Sequence, residues 1–461
     1  VKKGMGIYMD YYGENWMRIC DQIEVETGRY LNPGAISMAS GYSIEVFAEG
    51  LDAPSSILFT DEGDMLIANT GYATGRPTVS RLTNGSFEVI ADNFNVPLTG
   101  INYLNGEVYV SHMGIITSIN RDGTRQDIIT GLPSYGDYSN SRVDFGIDGK
   151  MYFGIGTATN SGVVGLDNLW IYNYPNFHDN PGSIILLNGQ NYETDNILIL
   201  ASDQKAYTGA FSPFGVPNTP YEIRKGVLKA SGSILRANRD GSSLELVAWG
   251  LRSPSYIKFD ESKRLFVSNN GCDIRGSRPI ANAPDEFLLV DSGVWYGWPD
   301  YAGGEPVTSS RFKPEGGAQP EFLLTYHPNI PPRPFANFPP TSTIIGFAFN
   351  NNRTFGPIGE VYIAEFGNIV PRTIGDSMPQ YSGVGHKISR IDMTTGGITT
   401  FAMNRSGFSA SITRDGGFGR PADIAFGPDG AMYVVDMGTN TIESPNVFLP
   451  NTGVIWRITK T

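Results

Sequence analysis

Six ionisable residues stand at corresponding points of a pattern that recurs along this 461-residue chain. Arg252 and Arg420 come just before an apolar run, Asp137 precedes another, and His112, Glu365 and Asp436 each end the second run of a pair. Guanidinium groups take up carboxylates in forked pairs, and carboxylates and imidazoles accept protons. Brought to one end of a channel, these positions would make a polar site with a proton acceptor in it. A structural reading stands beside this one. Arg252 and Arg420 each lie close to a proline and would pair with Glu365 or Asp436 between repeats, and His112 would be a hydrogen-bonded interior histidine. His178, His327 and His386 fall in loops or beside outer runs, where a structural role is the simpler expectation.

The elements that must position these residues are β-hairpins. An apolar run, a turn containing Gly or Asp-Gly, and a second alternating run that ends in a polar residue or Gly form a hairpin signature. It occurs at 56–69, 100–112, 142–154, 256–269, 346–365 and 423–436. The aromatic markers Phe59, Tyr103 and Phe145 are spaced as a propeller blade requires, at about 40 to 45 residues. Phe259, Phe349 and Phe426 follow at longer steps that hold a blade plus an insertion, chiefly 157–230 and 271–342. Runs beginning at Val79, Ile116, Gly232, Lys387 and Val454 read as outer strands. The expectation is an all-β fold, a six-bladed β-propeller over residues 41–461 with long loop insertions, although the longest step has room for a seventh blade. Residues 1–40 lie outside the repeat. They read as an N-terminal arm with a short amphipathic helix within 15–25, packed on the rim or reserved for a partner.

In such a fold the innermost strand runs down the channel and the second returns, so both open on one face. Asp137, Tyr138, Arg252 and Arg420 on one side of the hairpins, and His112 and Asn270 on the other, would meet there. Both insertions leave from the same face and would wall a pocket.

Composition bounds the partners. With 34 basic against 46 acidic residues the net charge is −12, which argues against binding the phosphate backbone of nucleic acid. The 56 glycines, 30 prolines, 23 tyrosines and 25 phenylalanines suit half-buried strands joined by tight turns. Cys20 and Cys272 form neither a metal knuckle nor a disulfide framework. Zinc-protease, serine-hydrolase and nucleotide-binding motifs are absent. No apolar run is long enough for a membrane span, and the first residues lack a signal peptide's apolar core. The polar, glycine-rich, low-charge composition leans towards an extracellular, periplasmic or cell-surface setting.

Longer motifs carry a resemblance. Trp249-Gly-Leu-Arg-Ser-Pro254, Leu265-Phe-Val-Ser-Asn-Asn-Gly271, Asp285-Glu-Phe-Leu-Leu-Val290 and Trp295-Tyr-Gly-Trp-Pro-Asp-Tyr-Ala-Gly-Gly304 occur in that order. So do Gly156-Thr-Ala-Thr-Asn-Ser-Gly162, Arg275-Gly-Ser-Arg-Pro279 and Gly419-Arg-Pro-Ala-Asp423. Together they resemble the soluble glucose/sorbosone dehydrogenase family, in its sorbosone dehydrogenase-like branch, over about residues 41–458. The resemblance implies a six-bladed propeller using pyrroloquinoline quinone (PQQ) and calcium to oxidise a sugar hydroxyl. Arg252 and Arg420 then match two of the quinone's cationic partners, and Asn270 stands near a usual glutamine. The main-chain carbonyls of Gly271 and Cys272, with the acidic pair Asp285 and Glu286, match calcium positions. Tyr138 occupies the place of the family's general-base histidine, with Asp137 or His112 as substitutes. Ser253 and Ala422 replace a usual asparagine and arginine, and no lysine is evident near Glu365–Asn368.

Three functions follow as expectations. The first is a PQQ-family sugar or aldose dehydrogenase, passing electrons to an acceptor such as a cytochrome. The second is a non-catalytic propeller with a degenerate site, used for binding or self-assembly. The third is a calcium-dependent lactonase or related hydrolase.

Overall fold

A computed structural model describes residues 28–199, 204–368, 382–440 and 447–461. Six antiparallel sheets stand around a central channel as blades, numbered here in chain order. The innermost strands are Pro54–Phe59, Leu98–Leu104, Asp144–Phe145, Ser253–Phe259, Ile344–Phe349 and Pro421–Phe426. Each carries one of the six aromatic markers, and the runs read as outer strands are third strands of their blades. There is no seventh blade among the described residues.

Burial follows a strand's place in its blade. The second strands Met151–Ile155, Val361–Glu365 and Met432–Asp436 are buried at every position. Each is packed between two neighbouring blades, and its near-continuous apolar run fits two covered faces. The outermost strands Ser86–Ala91 and Arg125–Ile129 are largely exposed. Apolar clusters fill the seams between successive blades. Leu58, Leu66, Leu98 and Val110 join blades 1 and 2, and Tyr362, Ile424, Met432 and Trp456 join blades 5 and 6. The ring is closed by Tyr42–Leu51, which pairs antiparallel with Gly453–Lys460 as the outermost strand of blade 6.

Part of the segment read as an arm joins the propeller directly. Ile36–Met38 pairs with Ile398–Asn404 and adds a fifth strand to blade 5. The helix expected within 15–25 lies outside the described residues.

The insertions need one correction. The first leaves blade 3 between Met151–Ile155 and Ser233–Ala237, as expected. The stretch 271–342 is not one excursion, because Asp285–Leu289 and Ala336–Phe338 are the third and fourth strands of blade 4. Their short apolar runs pack into the sheet core, while 271–284 and 290–335 loop out on either side. The two insertions share a core of Val163, Leu187, Phe211, Trp295, Trp298 and Leu323. A fully buried ion pair, Arg278 to Asp300 at 3.2 Å, joins the two blade 4 loops, and Arg278 also donates to the Ser161 carbonyl of the first insertion. No helix among the described residues is long and apolar enough to cross a membrane.

Candidate functional site

Where blades 3 and 4 meet, polar side chains converge on Asn160 in the first insertion. Its Oδ1 accepts from an Arg252 guanidinium nitrogen at 2.8 Å and from the Asp273 amide at 2.8 Å. Its Nδ2 donates to the main-chain oxygens of Asp273 and Arg275. Its own carbonyl accepts from Arg252 Nε, Trp298 Nε1 and the Cys272 thiol. A single amide thus ties the end of blade 3 to the loop that follows the second strand of blade 4.

Two guanidiniums and three carboxylates occupy this junction. Arg252 pairs with Asp273 at 2.7 Å. Arg275 pairs with Asp137 and Asp167, both at 2.6 Å, and its Nε lies 3.5 Å from Asp273. Burial opposes the charge on both arginines, yet Tyr138 and the surrounding carboxylates outweigh it and raise both pKa values. Burial also raises the pKa of Asp167 against the pull of Arg275.

Tyr138 lies inside this group. The Arg252 guanidinium sits 4.5 Å from its ring centroid, and Arg275 donates to its hydroxyl at 2.9 Å. Burial pushes the phenol up to about 12, against the pull of both arginines, so it stays protonated at neutral pH. Gly156 has no room for a side chain against the Cβ and main-chain carbonyl of Tyr138, so the two segments are in close contact there.

The three carboxylates differ in what they have left to offer. Asp137 Oδ1 accepts from Asn168 and from the Trp170 indole, while Oδ2 meets Arg275, so both oxygens are engaged. Asp167 is as buried as Arg275, at 7% side-chain exposure for each. Asp273 is the most open of the three, at 16% against 11% for Asp137.

Of the residues singled out in the sequence, Asp137, Tyr138, Arg252, Asn270 and Cys272 meet around Asn160. Asn270 contributes its carbonyl to Arg252 and its Nδ2 to Ser255, while its Oδ1 is buried with no donor. Burial lifts the Cys272 thiol to about 11.

His112 is not part of this group. Its Nδ1 accepts from the Asn95 amide and its Nε2 bonds Thr117 Oγ1, which donates to Asp127. Burial lowers its pKa to about 4. The side chain turns into blade 2, which removes it as a proton acceptor across the channel.

Asp285 and Glu286 act as brackets between strands. Asp285 accepts main-chain N–H bonds from Gly271 and Thr343. Glu286 accepts from Asn269 Nδ2 and the Gly303 amide. Each of the four carboxylate oxygens thus accepts one hydrogen bond from the fold itself. Glu365 and Asp436 are also structural: Lys387 and Ser389 meet Glu365, and Arg29 pairs with Asp436. Neither takes the side chain of Arg252 or Arg420.

Arg420 enters from blade 6. Its Nε donates to Asn440 Oδ1, and one terminal nitrogen donates to the carbonyls of Phe366 and Asn368. Its side chain is hydrogen-bonded to no carboxylate among the described residues. Burial lowers its pKa to about 9, with the Asp436 carboxylate pulling the other way.

Asn160, Asp167, Asp273 and Arg275 were not singled out as site residues from the sequence. The available signal was a pair of arginines, Arg275 and Arg278, in a loop of a chain with only 17% charged residues.

No family model matches the chain. In sequence it is similar to quinoprotein glucose dehydrogenase B of Acinetobacter calcoaceticus, 27% identical over 179 residues. That match covers 38% of this chain and 29% of the relative. In structure it is similar to the holo form of the PQQ domain of pyranose dehydrogenase from Coprinopsis cinerea, with a TM-score of 0.58 at 14% identity. The superposition covers 95% of this chain and 98% of that domain. A calcium structure of a Trichoderma reesei carbohydrate-active enzyme gives 0.54 at 16% identity, over 95% of this chain and 100% of the other. The resemblance read from the sequence therefore holds, in likeness to a quinoprotein glucose dehydrogenase and in a six-bladed propeller shared over nearly the whole chain.

Proposed function

We propose that this propeller is a sugar dehydrogenase that uses a bound PQQ-type quinone. The observation that carries the reading is Arg420, a buried cation whose side-chain partners among the described residues are carbonyl and amide oxygens. Among the described residues no carboxylate bonds this side chain; a buried cation in that setting is costly, and a carboxylate-bearing ligand would pair with it. PQQ bears carboxylates, and the buried Asn270 Oδ1, which has no donor among the described residues, is a second polar atom with capacity for a ligand. The residues present fit such a group.

When bound, the quinone supplies the acceptor for a hydride from the sugar carbinol carbon. The chain's own residues do the rest. Arg252 and Arg420 hold acidic groups and set the ligand's orientation. Asp273, the most open carboxylate at the junction, takes the proton of the sugar hydroxyl. Tyr138 stays protonated and holds the two guanidiniums at fixed places on its ring and hydroxyl. Calcium, if part of the site, would rest on the main-chain oxygens of Gly271 and Cys272, hard ligands suited to that ion.

Titrating the purified chain with PQQ in excess calcium, followed by quinone absorbance, tests this. Saturable one-to-one binding is expected, weakened at least about tenfold by Arg420→Ala, the factor that corresponds to loss of a charge-assisted contact. Asp273→Asn should keep binding and lose dye-coupled oxidation of aldoses. Absence of PQQ binding in the wild-type chain would overturn the reading.

A further inference from the structure

Resting on the sugar-substrate reading above, we propose that Tyr135 and Tyr174 form a stacking platform for a further pyranose ring, so that the site takes oligosaccharides in preference to single sugars. The two side chains are 38% and 39% exposed. Their ring centroids lie 4.8 Å apart at an interplanar angle of 33°. Phe177 meets Tyr135 edge-on at 6.0 Å and meets Trp170 at 5.4 Å. The Trp170 indole in turn donates to Asp137 at 2.9 Å. A run of aromatic rings therefore leads from solvent to the polar junction of blades 3 and 4.

Both tyrosines are mounted on backbone tied to that junction. Tyr135 stands two residues before Asp137, within about 7 Å along the chain. Gly136 between them has no space for a side chain against Ala158, so this loop is pressed onto the first insertion. The Tyr174 amide donates to the Trp170 carbonyl at 2.9 Å. A ring laid on the platform would thus be a near neighbour of whatever occupies the site.

The chemistry fits a neutral glycan. A pyranose has a face of C–H groups and a rim of hydroxyls, and tyrosine offers an apolar ring with a polar tip. Exposed amides at Asn173 and Asn176 flank Tyr174 and supply both donors and acceptors. Residues 170–177 and 132–135 carry no charged side chain. That composition suits an uncharged ligand better than nucleic acid or an acidic peptide. The exposed aromatic pair runs through Phe177 and Trp170 to the polar junction, so a ligand laid on it would lie beside that junction.

The test is calorimetric titration, without quinone, of glucose, maltose, maltotriose, cellobiose and cellotriose into the wild-type chain. The same sugars are titrated into the double variant Tyr135→Ala/Tyr174→Ala and the conservative Tyr135→Phe/Tyr174→Phe. Affinity should rise from the monosaccharide to the longer sugars of at least one series in the wild type. The alanine pair should weaken the trisaccharide about tenfold and leave glucose unchanged, whereas the phenylalanine pair should behave as wild type. Equal affinity for one and three sugar units, no sugar binding, or an alanine pair that keeps the length dependence would overturn the platform. Because no quinone is present, failed PQQ binding leaves this result standing. Oxidation of single sugars without any length dependence would sink the platform and leave the dehydrogenase.

Discussion

Arg252 and Arg420 occupy equivalent places, each just ahead of or at the start of an innermost strand, in blades 4 and 6, yet their surroundings are opposite. Arg252 is enclosed by charge: Asp273 pairs with it and Arg275 brings two further carboxylates to the same junction. Among the described residues the Arg420 side chain meets carbonyl and amide oxygens, and burial lowers its pKa to about 9. The scaffold presents both guanidiniums, and the inserted loops decide what each can still bind. Asn160, Asp167, Asp273 and Arg275 all come from segments outside the strands. Electrostatic specificity is therefore a property of the insertions, laid on a repeating frame.

The largest test of that contrast is to remove one cation from each side. Arg275→Met strands Asp137 and Asp167 in a buried setting without their counter-ion. Breaking a buried pair in this way costs about 3–5 kcal/mol. Arg420→Met strands no carboxylate among the described residues, and the lost bonds to neutral oxygens should cost about 1 kcal/mol. Urea unfolding of the two variants beside wild type measures the difference. Equal losses would mean that the Arg275 carboxylates are not compensated as the geometry indicates.

A smaller test uses the sign of the pH dependence. On the Arg252 side, Asp179 accepts from the Ala158 and Thr159 amides beside Asn160, and burial pushes it up to about 6. Between about pH 4 and 6 the folded chain then holds a proton that the unfolded chain has lost. Stability from this group falls as pH rises through that window. On the Arg420 side, His386 bonds the Gly419 carbonyl, and burial lowers its pKa to about 3. The unfolded histidine takes up a proton below about pH 6.5 while the folded one does not, so this contribution falls as pH drops. The two slopes oppose each other between about pH 4 and 6. Asp179→Asn should remove one of them, and denaturation midpoints should then climb more steeply with pH over that range. An unchanged slope would contradict the assignment.

How far the chain could be read in advance follows from the same division. The hairpins were legible because alternation and turn residues are local, and all six proved to be the inner pairs of blades. The closing strand Tyr42–Leu51 was not, since nothing local ties Tyr42 to Lys460. Arg252, Tyr138, Asp137 and Asn270 were legible as positions at strand ends. His112 shows the limit of that argument. It lies opposite Leu98 in the ladder, and which way its side chain turns depends on packing against Asn95 and Thr117. Asp285 and Glu286 were legible as an acidic pair, but their use on main-chain amides was not. Asp273 and Arg275 lie in a loop without periodicity, where only the folded chain shows what they meet.

The smallest expected effect concerns Tyr138, the residue that touches both arginines of the crowded side. Tyr138→Phe keeps the ring under the Arg252 guanidinium and removes only the acceptor for Arg275. Arg275 retains Asp137 and Asp167, so the change should cost about 0.5–1.5 kcal/mol of stability. Because the phenol is already protonated at neutral pH, its removal should leave the pH profile of any sugar oxidation in place. A profile that loses a rise towards alkaline pH in Tyr138→Phe would instead make the hydroxyl the proton acceptor, and Asp273 would yield that role. The comparison of the two arginines would then need a third term, a phenol whose proton the surrounding guanidiniums can move.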